Sequence, residues 1–276
     1  MSLQLINATP RQGLAWVRQA FVLFLRKPLA FASLFGVFML AALLALALPF
    51  VGGVLLLLAL PLLTLGYMVA ARSALAGGPV NVGQLIEPLR GATDPVHKAR
   101  RRTLLALCGV YGLLTLAVLL ASEAIDGGAF ERLQMLLAGE QTDATRAQIA
   151  ELMTEGSLRN GMLLRLGATA LLSLPFWHAP ALVAWHGQGL AQALFSSSLA
   201  CWRNRGAFAI YGLAWVGVVL AFGLVAGVSM SLLGAPQLVS AIAVPAGLIF
   251  TTVFYVSLYF TYQGCFGDDE KDTAPV

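Results

Sequence analysis

Two histidines raise the first chemical question. Residues 175–187 read PFWHAPALVAWHG, which places His178 and His186 eight apart, each directly after a tryptophan, with Pro175 and Pro180 bracketing the first. An imidazole in an apolar stretch can bind a ligand, pass a proton or satisfy a bent backbone. The third role has a specific cause here. Pro180 cannot donate to the carbonyl of Phe176, nor Pro175 to that of Leu171, so both acceptors need other donors. A neutral His178 carries one N–H and each indole carries another. The structural role is the leading expectation. A ligand contact made by His178 and Trp177 with Tyr255 and Tyr259 is the functional alternative. His186, beside Gly187, reads as a boundary residue.

Other chemistry finds little support. The chain has three cysteines and three histidines without CxxC or HxxxH spacing, so no metal site is expected. Cys108, Cys201 and Cys265 avoid the long acidic loop, where an oxidising compartment would favour disulfides. No Asp, Glu, Lys or Arg lies near the middle of an apolar run. Ion-coupled carriers place titrating groups there, and membrane hydrolases need a nucleophile with a base or clustered metal ligands. No catalytic residue and no cofactor is therefore expected.

The elements that hold these residues follow from composition. Of 276 residues, 59% are hydrophobic and 11% charged, with mean hydropathy +0.81. Soluble domains carry about 25% charged residues, so the bilayer is the expected solvent. Apolar runs fall at 28–48, 50–71, 103–122, 166–185, 206–233 and 236–262. Each reaches the roughly 20 residues that a helix needs to cross the hydrocarbon core. The first run begins too late, and is too long, for a cleaved signal. Gly and Pro in 49–53 and 233–237 predict tight hairpin turns.

Charge orients the bundle. One side holds thirteen basic and six acidic residues, net +7, and the other holds four basic and seven acidic, net −3. The basic side and both termini should be cytoplasmic. Arg18, Arg26, Lys27, Arg100, Arg101 and Arg102 are the expected contacts with anionic lipid headgroups, a better account of pI 9.2 than nucleic acid.

Three amphipathic segments precede the odd-numbered spans. In 12–26, Leu14, Val17, Phe21, Phe24 and Leu25 form an apolar face opposite Arg11, Arg18 and Arg26, as in a helix lying in the headgroup plane. Residues 81–90 follow a helical period after a capping Asn81. Residues 188–202 are a weaker case, interrupted by three serines. Gly13-Leu14-Ala15 returns as Gly189-Leu190-Ala191, and Ala30-Phe31-Ala32 as Ala207-Phe208-Ala209, which suggests three helix-plus-hairpin units. The outer loop, 123–160, should hold helices at 129–138 and 143–155 with a cap at Thr142 or Asp143, forming a solvated hairpin or a docking site. Gly223, Gly227 and Ser231 make a small-residue face for packing within the chain or in a homodimer. Tyr255, Tyr259 and Tyr262 form a stripe expected as an aromatic belt. The division is an N-terminal amphipathic helix (1–27), a membrane domain (28–262) and a disordered acidic tail (263–276).

The string Phe176–Val183 with Trp185-His186-Gly187, then Cys201-Trp202-Arg203-Asn204, Gly206-Ala207-Phe208 and Gly212-Leu213-Ala214-Trp215, together with Gly13, Trp16 and Arg26-Lys27-Pro28, resembles a family of proteobacterial integral membrane proteins known as hypothetical transmembrane proteins. The resemblance spans most of residues 12–266, leaving out the outer loop and the tail. It implies a bacterial inner-membrane location and six spans, and transfers no catalytic role. The expected fold is an all-α, six-helix membrane bundle with cytoplasmic interfacial helices. The expected function is a non-enzymatic envelope accessory or scaffold engaging lipid, a partner protein or a second copy. The alternative is a transporter or channel for an apolar or amphipathic small solute.

Overall fold

The computed structural model describes residues 4–49, 51–90, 94–139, 142–234 and 238–267. Phe50, Glu140, the turn residues 235–237 and the tail from 268 onward lie outside them. The chain forms an all-α bundle. Strand β1 (Gln4–Leu5) leads into α1 (Pro10–Arg26), α2 (Pro28–Leu46) and α3 (Val51–Leu75). Two 3-10 turns, Val82–Leu85 and Glu87–Leu89, precede α4 (Pro95–Asp126), α5 (Ala129–Ala138), α6 (Asp143–Thr154), α7 (Gly156–Phe176) and α8 (Ala179–His186). Then come α9 (Leu190–Arg203), α10 (Arg205–Leu232), α11 (Leu238–Cys265) and β2 (Phe266–Gly267). Six segments are long and apolar enough to cross a membrane: α2, α3, α4, the α7–α8 pair, α10 and residues 241–265 of α11.

Three antiparallel hairpins result, α2/α3, α4/α7–α8 and α10/α11, and each receives an amphipathic element from elsewhere in the chain. The 3-10 turns seat on α2/α3, α9 on α7–α8, and α1 on α10/α11. Each element thus rests on the hairpin before it in cyclic order, and α1 closes the ring. The closure is fastened by hydrogen bonds. β1 pairs antiparallel with β2, Gln4 opposite Gly267. Asn204, at the α9–α10 junction and 1% exposed, accepts from Ala8 N–H at 2.6 Å and donates from Nδ2 to the carbonyls of Ile6 (3.1 Å) and Ala200 (3.0 Å). At the α1–α2 junction, Lys27 Nζ donates to the carbonyl of Gly78 at 2.6 Å.

The structure corrects several expectations. Helix α1 buries Gly13, Trp16, Val17, Ala20, Leu23 and Phe24. Leu14 and Leu25, assigned to its apolar face, are exposed. The buried face is built on small residues that admit close approach. A Cβ at Gly13 would stand 2.1 Å from the carbonyl oxygen of Ala207, so α1 docks on α10 rather than lying apart from the bundle. Residues 81–90 are not one helix. They form two short turns capped by Asn81, whose N–H donates to Gln84 Oε1 at 3.0 Å, and Pro88 interrupts any longer run. Gly66 receives them, since a Cβ there would meet Leu85 Cα at 2.8 Å. The segment 263–267 is not disordered: α11 runs to Cys265 and β2 follows.

The small-residue face also differs. Nothing lies within 4 Å of a Cβ built at Gly223 or Gly227, Ser231 is exposed, and only 6% of α10's apolar window is buried. These residues pack on nothing in the described chain. The outer helices lie at Ala129–Ala138 and Asp143–Thr154, with Thr142 accepting from Thr145 N–H. The tyrosine stripe faces inward rather than forming a belt: Tyr259 and Tyr262 are buried, and Tyr255 stacks on Tyr67 at 5.2 Å between ring centroids.

Glycine substitution separates contact from open surface. Gly13→Ala should destabilise the detergent-solubilised protein by about 1–3 kcal/mol, as expected of overpacking. Gly223→Ala and Gly227→Ala should leave the unfolding midpoint unchanged or slightly raised. Equal losses at all three positions would show that α10 is packed along its whole length.

Candidate functional site

The site is the break between α7 and α8. In an unbroken helix, His178 N–H would donate to the carbonyl of Leu174. Pro180, in the first turn of α8, has no N–H, and its ring obstructs the helix before it. The rung at 174–178 opens, and the Ser197 hydroxyl from α9 fills it. Ser197 Oγ accepts from His178 N–H at 3.0 Å and donates to the carbonyl of Leu174 at 2.8 Å. A side chain here does what a trapped water does in kinked helices, inside a region where an unpaired peptide group is costly.

The ring is held from α11. Thr261 Oγ1 donates to the carbonyl of Leu258 at 2.8 Å. Its lone pairs stand 3.1 Å from Trp177 Nε1 and 3.2 Å from His178 Nε2. With the hydroxyl proton committed to Leu258, both ring nitrogens must act as donors. This assigns His178 the Nε2–H tautomer, by inference from the network. Nδ1 is then a bare acceptor, buried without a partner among the described residues. His178 is 0% exposed, walled by Phe208, Tyr262 and Phe266 at 5.4–6.0 Å between ring centroids.

The break was legible in the sequence, but its partners were not. The expected acceptors for the donors at His178 were the carbonyls of Phe176 and Leu171. The observed ones are the Thr261 hydroxyl for the ring and the Ser197 hydroxyl for the backbone. The serines that weakened the helical reading of 188–202 are what join α9 to the break. One signal could have found them: a freed carbonyl in hydrocarbon calls for a hydroxyl on a neighbouring helix.

The four candidate ligand residues do not converge on one cavity. Trp177 and Tyr255 line a crevice of about 200 Å³ with Leu60, Thr64, Tyr111 and Ser173. His178 and Tyr259 do not. Tyr259 instead accepts from Gln263 Nε2 at 3.0 Å, with its ring 6.1 Å from Trp185. The crevice is smaller than the roughly 300–1,000 Å³ usual for small-molecule sites. His186 is more than a boundary residue, since its Nε2 lies 2.5 Å from Tyr262 Oη.

The lipid-contact candidates divide. Arg18, Arg26, Arg101 and Arg102 are exposed. Lys27 is committed to Gly78, and Arg100 Nη1 donates to the carbonyl of Ala184 at 3.3 Å. The three cysteines are buried and free, and among the described residues no group of three His, Cys, Asp or Glu side chains could hold a metal.

Removing either hydroxyl should cost stability. Thr261→Val keeps the shape and strands two N–H donors, while Ser197→Ala strands one N–H and leaves the Leu174 carbonyl with only the weak Cys201 Sγ donor at 3.8 Å. Each should cost about 1–3 kcal/mol, read by reversible unfolding in detergent. Ser198→Ala should cost far less, because Ser198 only returns a bond to the carbonyl of Leu194 within its own helix. A neutral Ser197→Ala would mean that the helix reseals without it.

No protein-family model matches the chain, and no solved structure does. A probable inner membrane protein of Burkholderia thailandensis is 36% identical over 270 residues, covering 97% of this chain and 96% of that protein. The alignment spans nearly the whole of both chains. The chain is a multi-pass inner-membrane protein and belongs to the same family as the Burkholderia protein.

Proposed function

We propose that the protein is a non-enzymatic scaffold of the inner membrane that engages anionic lipid at its basic, cytoplasmic end and has both termini on that side. One observation carries the reading. The donors at the break in the fourth span are taken up by hydroxyls of α9 and α11, around a histidine with no exposed surface. A carrier needs such groups to face a path, and an enzyme needs them to face a substrate.

Charge supplies the lipid-engaging part. Arg18, Arg26, Arg101 and Arg102 are exposed at the end where the basic residues gather. Each is worth about 1 kcal/mol near an anionic membrane surface. The exposed length of α10 offers a face for a partner protein or a second copy. The second reading, passage of an apolar or amphipathic solute, draws on the crevice lined by Trp177 and Tyr255.

Reconstitution separates the two. Proteoliposomes carrying the purified protein should be as tight to small amphipathic dyes as protein-free vesicles, and the protein should keep anionic over zwitterionic phospholipid through mild-detergent purification. Dye passage that Trp177→Ala abolishes without unfolding the protein would favour the carrier. Orientation has its own test: a reporter inserted at Thr145 should be extracytoplasmic and one at Pro95 cytoplasmic, and the opposite pattern would invert the assignment.

A further inference from the structure

A recess of about 300 Å³ opens at the basic end, between the second 3-10 turn, the first turns of α4 and the end of α8. Arg90 and Arg100 line it, with Leu104 and Trp185 among its apolar walls. A third guanidinium stands behind one wall: Arg72 Cζ lies 5.3 Å from the centroid of the Trp185 ring. Among the described residues none of the three arginines is in an ion pair. The histidine in the lining, His97, is paired with Asp94. The carboxylate in the lining is Glu87, so positive charge is in excess there.

Arg100 is set in place rather than free. Its Nη1 donates to the carbonyl of Ala184, at the end of α8. Its Nε is buried and lacks a partner among the described residues. A Cβ on Gly187, whose φ is +65°, would come within 3.3 Å of that nitrogen, so the turn after α8 leaves room for the guanidinium because it carries no side chain. An arginine held in place, a second arginine in the lining and an apolar wall make up a receptor for a tetrahedral oxyanion attached to an apolar body.

We propose that this recess binds a phosphoryl group, supplied either by an anionic phospholipid headgroup or by a soluble phosphate ester. The site rests on the lipid-engaging reading above and gives it an address. Arg90 and Arg100 hold the phosphoryl oxygens, and Trp185 and Leu104 receive the apolar portion. Arg101 and Arg102, exposed on the same helix, contribute only diffuse attraction.

Calorimetric titration of the full chain in detergent micelles, at fixed ionic strength, tests this. The probes are short-chain phosphatidylglycerol, phosphatidylcholine of the same chain length, and inorganic phosphate. Phosphatidylglycerol should bind at least about tenfold more tightly than phosphatidylcholine, and Arg90→Gln and Arg100→Gln should each weaken it about tenfold. Arg101→Gln and Arg102→Gln should change it by less than about twofold. Competition by millimolar inorganic phosphate would support the site and identify its ligand as a soluble ester; lack of competition would support it with lipid as the source. Because Arg100 also holds α8, Arg90→Gln keeps the test decisive if Arg100→Gln fails to fold. Equal losses in all four variants, or tight binding that Arg90→Gln leaves unchanged, would overturn the site while leaving lipid engagement intact. A wild-type protein indifferent to headgroup charge would overturn both.

Discussion

Hydrocarbon supplies no hydrogen bonds, and the architecture around the fourth span answers to that constraint. A proline in a spanning helix frees peptide groups that water cannot reach. In this protein the open rung at Leu174 and His178 is filled by the Ser197 hydroxyl, carried by α9, which is not among the six segments long and apolar enough to cross a membrane. The break and the docking of α9 are therefore one event. Without Ser197 the break has an unpaired N–H and a carbonyl left to the weak Cys201 thiol, and without the break Ser197 has no reason to be buried. Thr261 extends the arrangement to α11 through one oxygen that serves two rings. Three elements distant in sequence meet at a place where mismatch costs more than in water.

The same economy closes the bundle at its basic end. Asn204 holds the segment before α1, the end of α9 and, through Cys265 Sγ at 3.4 Å, the end of α11. Lys27 ties the first junction between an amphipathic element and a span to the turn after α3. Each amphipathic element is lent to the hairpin before it. The three-unit plan thus becomes a ring rather than a row, with the first and last described segments joined in the β1–β2 pair. The ring ties the basic end together, while α10 is packed by α1 near its start and is largely exposed beyond it.

Much of this was legible from composition and periodicity, because the bilayer imposes length and polarity on every span. The six spans, the outer helices and a cap at Thr142 or Asp143 follow from signals local to the chain, and the structure selects Thr142. Residues whose role depends on a distant partner were harder to read. Gly13 and Ala20 define the buried face of α1 because they are small, and hydrophobic periodicity gives small residues little weight. Leu14 and Leu25 fit the apolar period of a helix and are exposed. Ser197 looked like an interruption because its partner is 19 residues back, across a turn. Tyr259 and Tyr262 looked like belt residues because a stripe alone does not say which way it faces. The two arginines of the recess lie ten residues apart, on either side of a helix start, and only the fold brings them to one cavity.

The central claim is that the histidine of the fourth span is a fixed structural donor. The most direct measurement is the ¹⁵N chemical-shift pattern of the His178 ring at neutral pH, in selectively labelled protein in nanodiscs. The account predicts a neutral ring with its proton on Nε2 and none on Nδ1. A proton on Nδ1, a doubly protonated ring or a mixture of tautomers would mean that His178 faces a different partner, and the site would have to be read again as one that binds or moves something.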